Sequence, residues 1–174
     1  MRVTHHIEIT PTSVVLDGKN IPVEAQGEKL LSELYHRFVG DYPKFYKMDT
    51  LSRLGFIAAE LLIKEENLET QERAVILANS HASIKNDNDY LKTITADNYY
   101  PSPALFVYTL PNIVTGEIAI RHHYNGETAF YILENEKQLL PIIQTTPCLS
   151  AIVGWCEATD ANTFNAKIKI IWNN

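Results

Sequence analysis

Only two cysteines occur among the 174 residues, Cys148 and Cys156. If both lie on one strand they stand about 26 Å apart at roughly 3.3 Å per residue, far outside disulfide reach. A reduced, cytoplasmic setting is therefore expected. The start, Met1-Arg2-Val3-Thr4-His5-His6, holds no apolar core of a signal peptide, so no secretion signal is expected. Long uncharged runs are scarce as well. The two longest, residues 98–116 and 138–156, reach 19 residues each. Pro101, Pro103 and Pro111 break the first, and Pro141 and Pro147 break the second, which excludes a membrane helix in either. The seven glycines are scattered, and neither a Walker-type loop nor G-x-G-x-x-G is present, so nothing supports a nucleotide-phosphate cradle. Basic charge is short too: 15 Lys and Arg against 21 Asp and Glu give −6. An acidic chain lacks the footprint of a nucleic-acid binder, and no nucleic-acid partner is expected.

What is present is an ordinary globular mixture, 45% hydrophobic and 21% charged, of a length that suits one domain over residues 1–174. β-branched residues over 3–9 and 13–16, followed by Asp17-Gly18-Lys19-Asn20, predict a strand and a small hairpin ending near Val23. Leu30, Leu31, Leu34, Tyr35 and Phe38 fall at helical spacing over residues 28–39, with Gly40 as the C-cap. The aromatic linker over residues 41–46 is expected to pack. The clearest helix carries Leu51, Leu54, Ile57, Ala58, Leu61 and Leu62 on one stripe, is capped by Asp49 or Thr50, and ends near Lys64.

Residues 74–78 read as a buried strand running into the polar loop Asn79-Ser80-His81-Ala82-Ser83. Short helices are expected over residues 87–95 and just after Pro103, and a longer one from Pro111-Asn112 to Tyr124, closed by Asn125-Gly126. A strand over 128–133, a helix over 136–144 and strands over 149–156 and 166–172 complete the chain. Alternating strands and helices imply an α/β fold with a mixed, mostly parallel five-stranded sheet and helices packed on it.

The chemistry-bearing side chains are few. His5-His6 and His122-His123 are adjacent pairs whose members point apart, without the i, i+4 partners that a metal site needs, so no metal is expected. Ser80 and His81 follow a parallel strand, where α/β sites gather. They are sequence neighbours, however, and adjacency is not the arrangement of a nucleophile and its base; a loop-capping role is expected. Cys148 after Pro147 and Cys156 inside an apolar strand read as small buried hydrophobes. Along the helix from Asn112, Asn112 is a cap, Gly116 and Ala119 allow a close approach, and Ile113, Ile120 and Tyr124 bury a face.

Four stretches, in order, resemble one known family. Pro101-Ser102-Pro103 followed by Pro111-Asn112, Gly116, Ala119-Ile120 and the Gly126 turn is similar to a segment of the β-ketoacyl synthases (3-oxoacyl-ACP synthases) of the thiolase superfamily. Lys47-Met48-Asp49 with Ser52-Arg53 and Ala58-Ala59-Glu60 resembles their first long helix, and residues 75–80 the strand and loop after it. Gly154-Trp155-Cys156-Glu157 resembles their Gly-Gly-x-Glu strand, with Trp155 in place of the second Gly. The likeness spans residues 7–172 and implies the N-terminal half of a thiolase-like fold.

That resemblance also implies what is missing. In the family, the strand after the Gly turn leads to a nucleophilic Cys at a helix N-terminus, where the dipole lowers the thiol pKa. Here residues 128–133 run into Glu134-Asn135-Glu136, with no Cys, Ser or Thr at the elbow. The C-terminal half that supplies the family's histidines and oxyanion hole has no counterpart, and none of the six histidines matches them. The helix after the elbow is short, and Glu136-Lys137-Gln138-Leu139-Leu140-Pro141 is more polar than a buried helix.

The implied protein is non-catalytic, with no catalytic residues and no cofactor. It acts by homodimerising or by pairing with an active ketosynthase in fatty-acid, polyketide or polyene-pigment synthesis, and acyl-carrier protein is a further partner. In the family, dimers join through the strand that corresponds to residues 128–133. The alternative is half of a split acyl-transferring enzyme, or an acyl-ligand binder using a cleft near Ser80, residues 101–108 and Glu134-Asn135.

Overall fold

A computed structural model describes residues 1–97 and 100–173. Its strands are β1 (Arg2–Thr10), β2 (Ser13–Leu16), β3 (Lys19–Ile21), β4 (Ala74–Asn79), β5 (Thr128–Ile132), β6 (Ser150–Asp160) and β7 (Thr163–Trp172). The helices are α1 (Glu28–Phe38), α2 (Thr50–Glu65), α3 (Ile84–Leu91), α4 (Pro103–Val107), α5 (Ile113–His122) and α6 (Leu139–Thr145). All seven strands form one mixed sheet in the order β3-β2-β1-β7-β6-β4-β5.

The α/β class stands, but the sheet has seven strands rather than five and is mostly antiparallel. Only the β4–β5 and β4–β6 pairs are parallel; β1–β2, β2–β3, β1–β7 and β6–β7 are antiparallel. The reason lies in the connections. Parallel neighbours need a crossover of a dozen or more residues, usually helical. Only Ala161 and Asn162 separate β6 from β7, so these strands must fold back on each other. The N-terminal hairpin joins the same sheet through β1 and supplies the extra strands. Both β6 and β7 also run longer than expected.

Side chains alternate across the sheet, and each face has its own cover. Ile7, Ile9, Val75, Leu77, Ile152, Cys156, Ile168 and Ile170 point to one face, where they pack against α1, α2 and α5. The α2 helix is the centre of that layer and is buried nearly all round. Each fully buried Leu, Ile or Phe side chain there contributes about 1.5–3 kcal/mol. Asp49 rather than Thr50 is the α2 N-cap, and its carboxylate accepts the Ser52 N–H at 3.0 Å. The aromatic linker packs as expected, with Phe45 stacked on Tyr35 at 4.1 Å between ring centroids.

The helix α5 differs from its expected form. Asn112 makes no side-chain cap, and the helix ends at His123, which takes the left-handed conformation (φ 55°) before the Asn125-Gly126 turn. Its buried residues are Val114, Thr115, Ile118 and Ala119, whereas Ile120 is 61% exposed. Gly116 faces open space. The close approach is made by Gly55 of α2, where an added Cβ would lie 2.5 Å from Val114 Cγ2.

On the opposite face, Leu139 and Ile143 of α6 cover Ala74, Ile76, Ala78, Ala151, Val153 and Ile171. Beside α6 that face turns polar: His6 and Glu8 of β1 and Lys167 and Lys169 of β7 line a cleft of about 300 Å³. At the foot of β4, the buried Arg73 (1% exposed) donates to Ser150 Oγ at 3.1 Å, to the Tyr124 hydroxyl at 3.1 Å and to Leu68 O at 2.9 Å. Its guanidinium also lies over the rings of Tyr124 and Trp172. One side chain thus ties β6, the α5 exit and the loop before β4 together.

Candidate functional site at the β5 edge

The strand β5 closes one end of the sheet and, among the strands of the described residues, pairs with β4 alone, in the register Val75↔Thr128 to Asn79↔Ile132. At one end Val75 N–H donates to Glu127 O at 2.8 Å, and at the other Leu133 N–H donates to Asn79 O at 2.8 Å. Backbone groups alternate along a strand, so residues 127, 129, 131 and 133 face β4. The N–H and C=O groups of Thr128, Phe130 and Ile132 therefore point away from the sheet. This is an edge ladder of the kind that accepts another strand.

The strand carries no charge between Glu127 and Glu134. Phe130 packs toward the α5 layer and Tyr131 toward the α6 layer, while Ile132 is 52% exposed. Further large apolar residues are exposed in the excursion between β4 and β5: Phe106, Val107, Leu110 and Ile120.

At the elbow after β5, the chain satisfies its own backbone and presents no nucleophile. Asn135 Oδ1 accepts the Lys137 N–H at 3.2 Å and Gln138 Oε1 accepts the Asn135 N–H at 3.4 Å, forming a capping box on a 3-10 turn (Glu136–Gln138), and Gln138 Oε1 also accepts the Glu134 N–H at 2.8 Å. The expected single helix over 136–144 is thus this turn followed by the seven residues of α6. The short polar side chains here act as caps.

Neither cysteine compensates. Cys156 is fully buried under α2, with Sγ 3.8 Å from Leu51 O. Burial first, and then the nearby Asp49 and Glu157 carboxylates, push its thiol far up. Cys148 is only partly buried, short of the expected core position, and burial raises its thiol too. Thiols held above their ordinary range stay protonated and are poor nucleophiles.

Ser80 and His81 do come within bonding distance, contrary to the expectation from adjacency: Ser80 Oγ is 3.0 Å from His81 Nδ1. Both converge on one carboxylate oxygen. Glu157 Oε2 accepts from Ser80 Oγ at 2.8 Å and from Ser80 N–H at 2.9 Å, and lies 3.3 Å from His81 Nδ1. In a catalytic relay the imidazole stands between hydroxyl and carboxylate. Here the hydroxyl is spent on the carboxylate of a neighbouring strand, and the loop itself is capped by Asn79, whose Oδ1 accepts the Ala82 N–H and whose Nδ2 donates to Ala82 O, both at 2.8 Å. Sequence reading missed Glu157 as the partner because 77 positions separate the two residues.

The adjacent histidine pairs do not converge on a common site. His5 and His6 lie against Asp17, and His122 lies against Glu60. Among the described residues no group of three His, Cys, Asp or Glu side chains could hold a metal ion, and no helix is long and apolar enough to cross a membrane.

A mixed sheet with α1, α2 and α5 on one face, a short helix on the other, and a parallel edge strand leading to an elbow defines a ketosynthase-like fold of the thiolase type. Among solved structures, the chain is similar to one in the complex of the ketosynthase ApeO with its chain length factor ApeC from Xenorhabdus doucetiae, with a TM-score of 0.66. The match covers 99% of this chain and 79% of that one, at 12% sequence identity, so the likeness is one of fold. No family model matches the sequence, and no curated protein does.

Proposed function

We propose that this chain, residues 1–174, is a non-catalytic ketosynthase-like half-domain that works in the cytoplasm by lending its β5 edge to an active ketosynthase in polyketide or polyene assembly. The observation that carries this reading is the combination at one place of an open, uncharged edge strand and an elbow with no thiol or hydroxyl. Acyl transfer by this chemistry needs a nucleophile to form the thioester. The two thiols are held protonated elsewhere, and the Ser80 hydroxyl is committed to Glu157. The similar solved chain comes from a complex of a ketosynthase with a chain length factor, which supports pairing of two such folds.

The competing reading, half of a split enzyme stacked on a second layer over α6, fits less well. Such stacking would bury Glu8, Lys167 and Lys169 beside α6, and taking charged groups out of water is costly even where, as for Glu8 and Lys167, opposite charges face each other across the strands.

Two measurements test the proposal together. Intact-mass spectrometry after incubation with acyl-CoA and acyl-carrier protein is expected to show no covalent adduct. Co-expression with the ketosynthase of the same organism is expected to give a complex by light scattering after size exclusion. An acyl adduct on Cys148 or Cys156, or a chain that stays monomeric beside that ketosynthase, overturns it.

A further inference from the structure

The free ladder of β5 is flanked at both ends by carboxylates, Glu127 before it and Glu134 after it. Among the described residues neither has a cation within ion-pair distance. Beyond the elbow, Glu136 and Lys137 cancel. Consider a second copy of this chain on the edge. A two-fold antiparallel pairing that overlaps the whole strand and keeps each sheet face continuous sets Phe130 opposite Phe130 of the other copy. Glu127 of one copy then falls opposite Leu133 of the other, one residue from its Glu134, and the same happens at the opposite end. Each copy also carries a formal charge of −6. The carboxylates brought near one another at both ends, together with the like net charges, repel over a Debye length and oppose the self-pair, and charge at the ends of an exposed edge is a known defence against self-pairing.

We infer that the β5 edge is built against a second copy of this chain and selects a different chain, one whose own edge strand is uncharged and flanked by basic residues that meet Glu127 and Glu134. The inference rests on the pairing role proposed above and adds the chemistry of the partner. It also decides between the two assemblies that the family resemblance implies, favouring the heterodimer.

A charge-swap series tests it, read by sedimentation equilibrium with circular dichroism as the control for folding. Wild type is expected to be monomeric at micromolar concentration, and to associate more, not less, as salt screens the carboxylates. The single reversal Glu127→Lys sets a lysine beside a glutamate at both ends of the self-pair. It is expected to tighten self-association about tenfold, since each exposed pair changes from repulsive to attractive. The double reversal Glu127→Lys with Glu134→Lys restores like charge and is expected to be monomeric alone, yet to pair with wild type when the two are mixed.

Outcomes that sink the inference are separable from those that sink the pairing role. If wild type dimerises and Ile132→Pro abolishes the dimer, the edge pairs but does not discriminate, and only the inference fails. If Glu127→Lys is no more associated than wild type while the ketosynthase complex still forms, the glutamates do not select the partner. If neither the charge variants nor the ketosynthase associates, the pairing role itself fails.

Discussion

The Ser80 hydroxyl lies 2.8 Å from Oε2 of Glu157 and donates to it. The same oxygen receives the Ser80 N–H, while Oε1 is buried and without a partner among the described residues. A serine so engaged is a cap on a nearly buried carboxylate. Ser80→Ala is expected to lower unfolding free energy by about 1–3 kcal/mol, measured by urea denaturation. A fluorophosphonate probe is expected to leave Ser80 unlabelled in the native protein, and labelling there would contradict its capping role.

The buried thiol makes a second expectation. Cys156 is expected to be silent to Ellman's reagent in the native state, and Cys148 slow, with both reacting at once in denaturant. Raising the pH from 7 to 9 is expected to leave Cys156 unreactive, because its folded-state pKa lies above the ordinary 9.0. Rapid native labelling of Cys156 would show that α2 does not seal it.

Two carboxylates are expected to act oppositely on the pH dependence of stability. Burial raises the Asp49 carboxyl above 3.8 despite its bonds to Ser52. Its ionisation therefore costs stability as pH rises from 3.8 through the folded-state value. Asp49→Asn keeps the α2 cap and removes that cost. It is expected to be at least as stable as wild type at pH 7, with any gain gone below pH 3.8. Glu66 resists burial through bonds from Thr4, the Leu68 N–H and Trp172, which hold it below 4.5. Its contribution is present above pH 4.5 and lost as pH falls, so Glu66→Gln is expected to flatten the acid limb of the stability profile.

Gly55 allows α2 to touch α5. A Cβ there would stand 2.5 Å from Val114 Cγ2 and 3.3 Å from Cys156 Sγ. Ala is the better helix former by about 1 kcal/mol, yet Gly55→Ala is expected to destabilise by about 1–3 kcal/mol through overpacking. Thermal denaturation checks the sign, and an unchanged or higher melting temperature would mean that the two helices move apart freely.

Much of this architecture was legible from local pattern. The leucine stripe of α2, the Asp17-Gly18 turn, and the apolar run of β4 each stated their element because periodicity and turn chemistry act within a few residues. The family likeness was legible in residues whose reasons the structure supplies. A Cβ on Gly154 would lie 2.1 Å from Lys167 O of the neighbouring strand, so that position requires glycine. Trp155 packs against the α6-side cluster, where its site accommodates a large side chain.

Strand order and direction were not legible, because they depend on which distant segments meet. The same holds for the Ser80–Glu157 contact and for Arg73, a lone arginine with no motif around it that nonetheless bonds Ser150, Tyr124 and Leu68. The open edge of β5 became visible only once β4 was seen to have β6 on its other side.

The most direct test of the pairing role is amide hydrogen exchange over residues 127–133, with and without the ketosynthase of the same organism. In the free chain the amides of Thr128, Phe130 and Ile132 face away from β4 and are expected to exchange quickly, while those of residues 129, 131 and 133 are protected by it. On adding the ketosynthase, the outward amides are expected to become protected as a new ladder forms. Protection that appears elsewhere on the molecule, with residues 127–133 unchanged, would contradict the account.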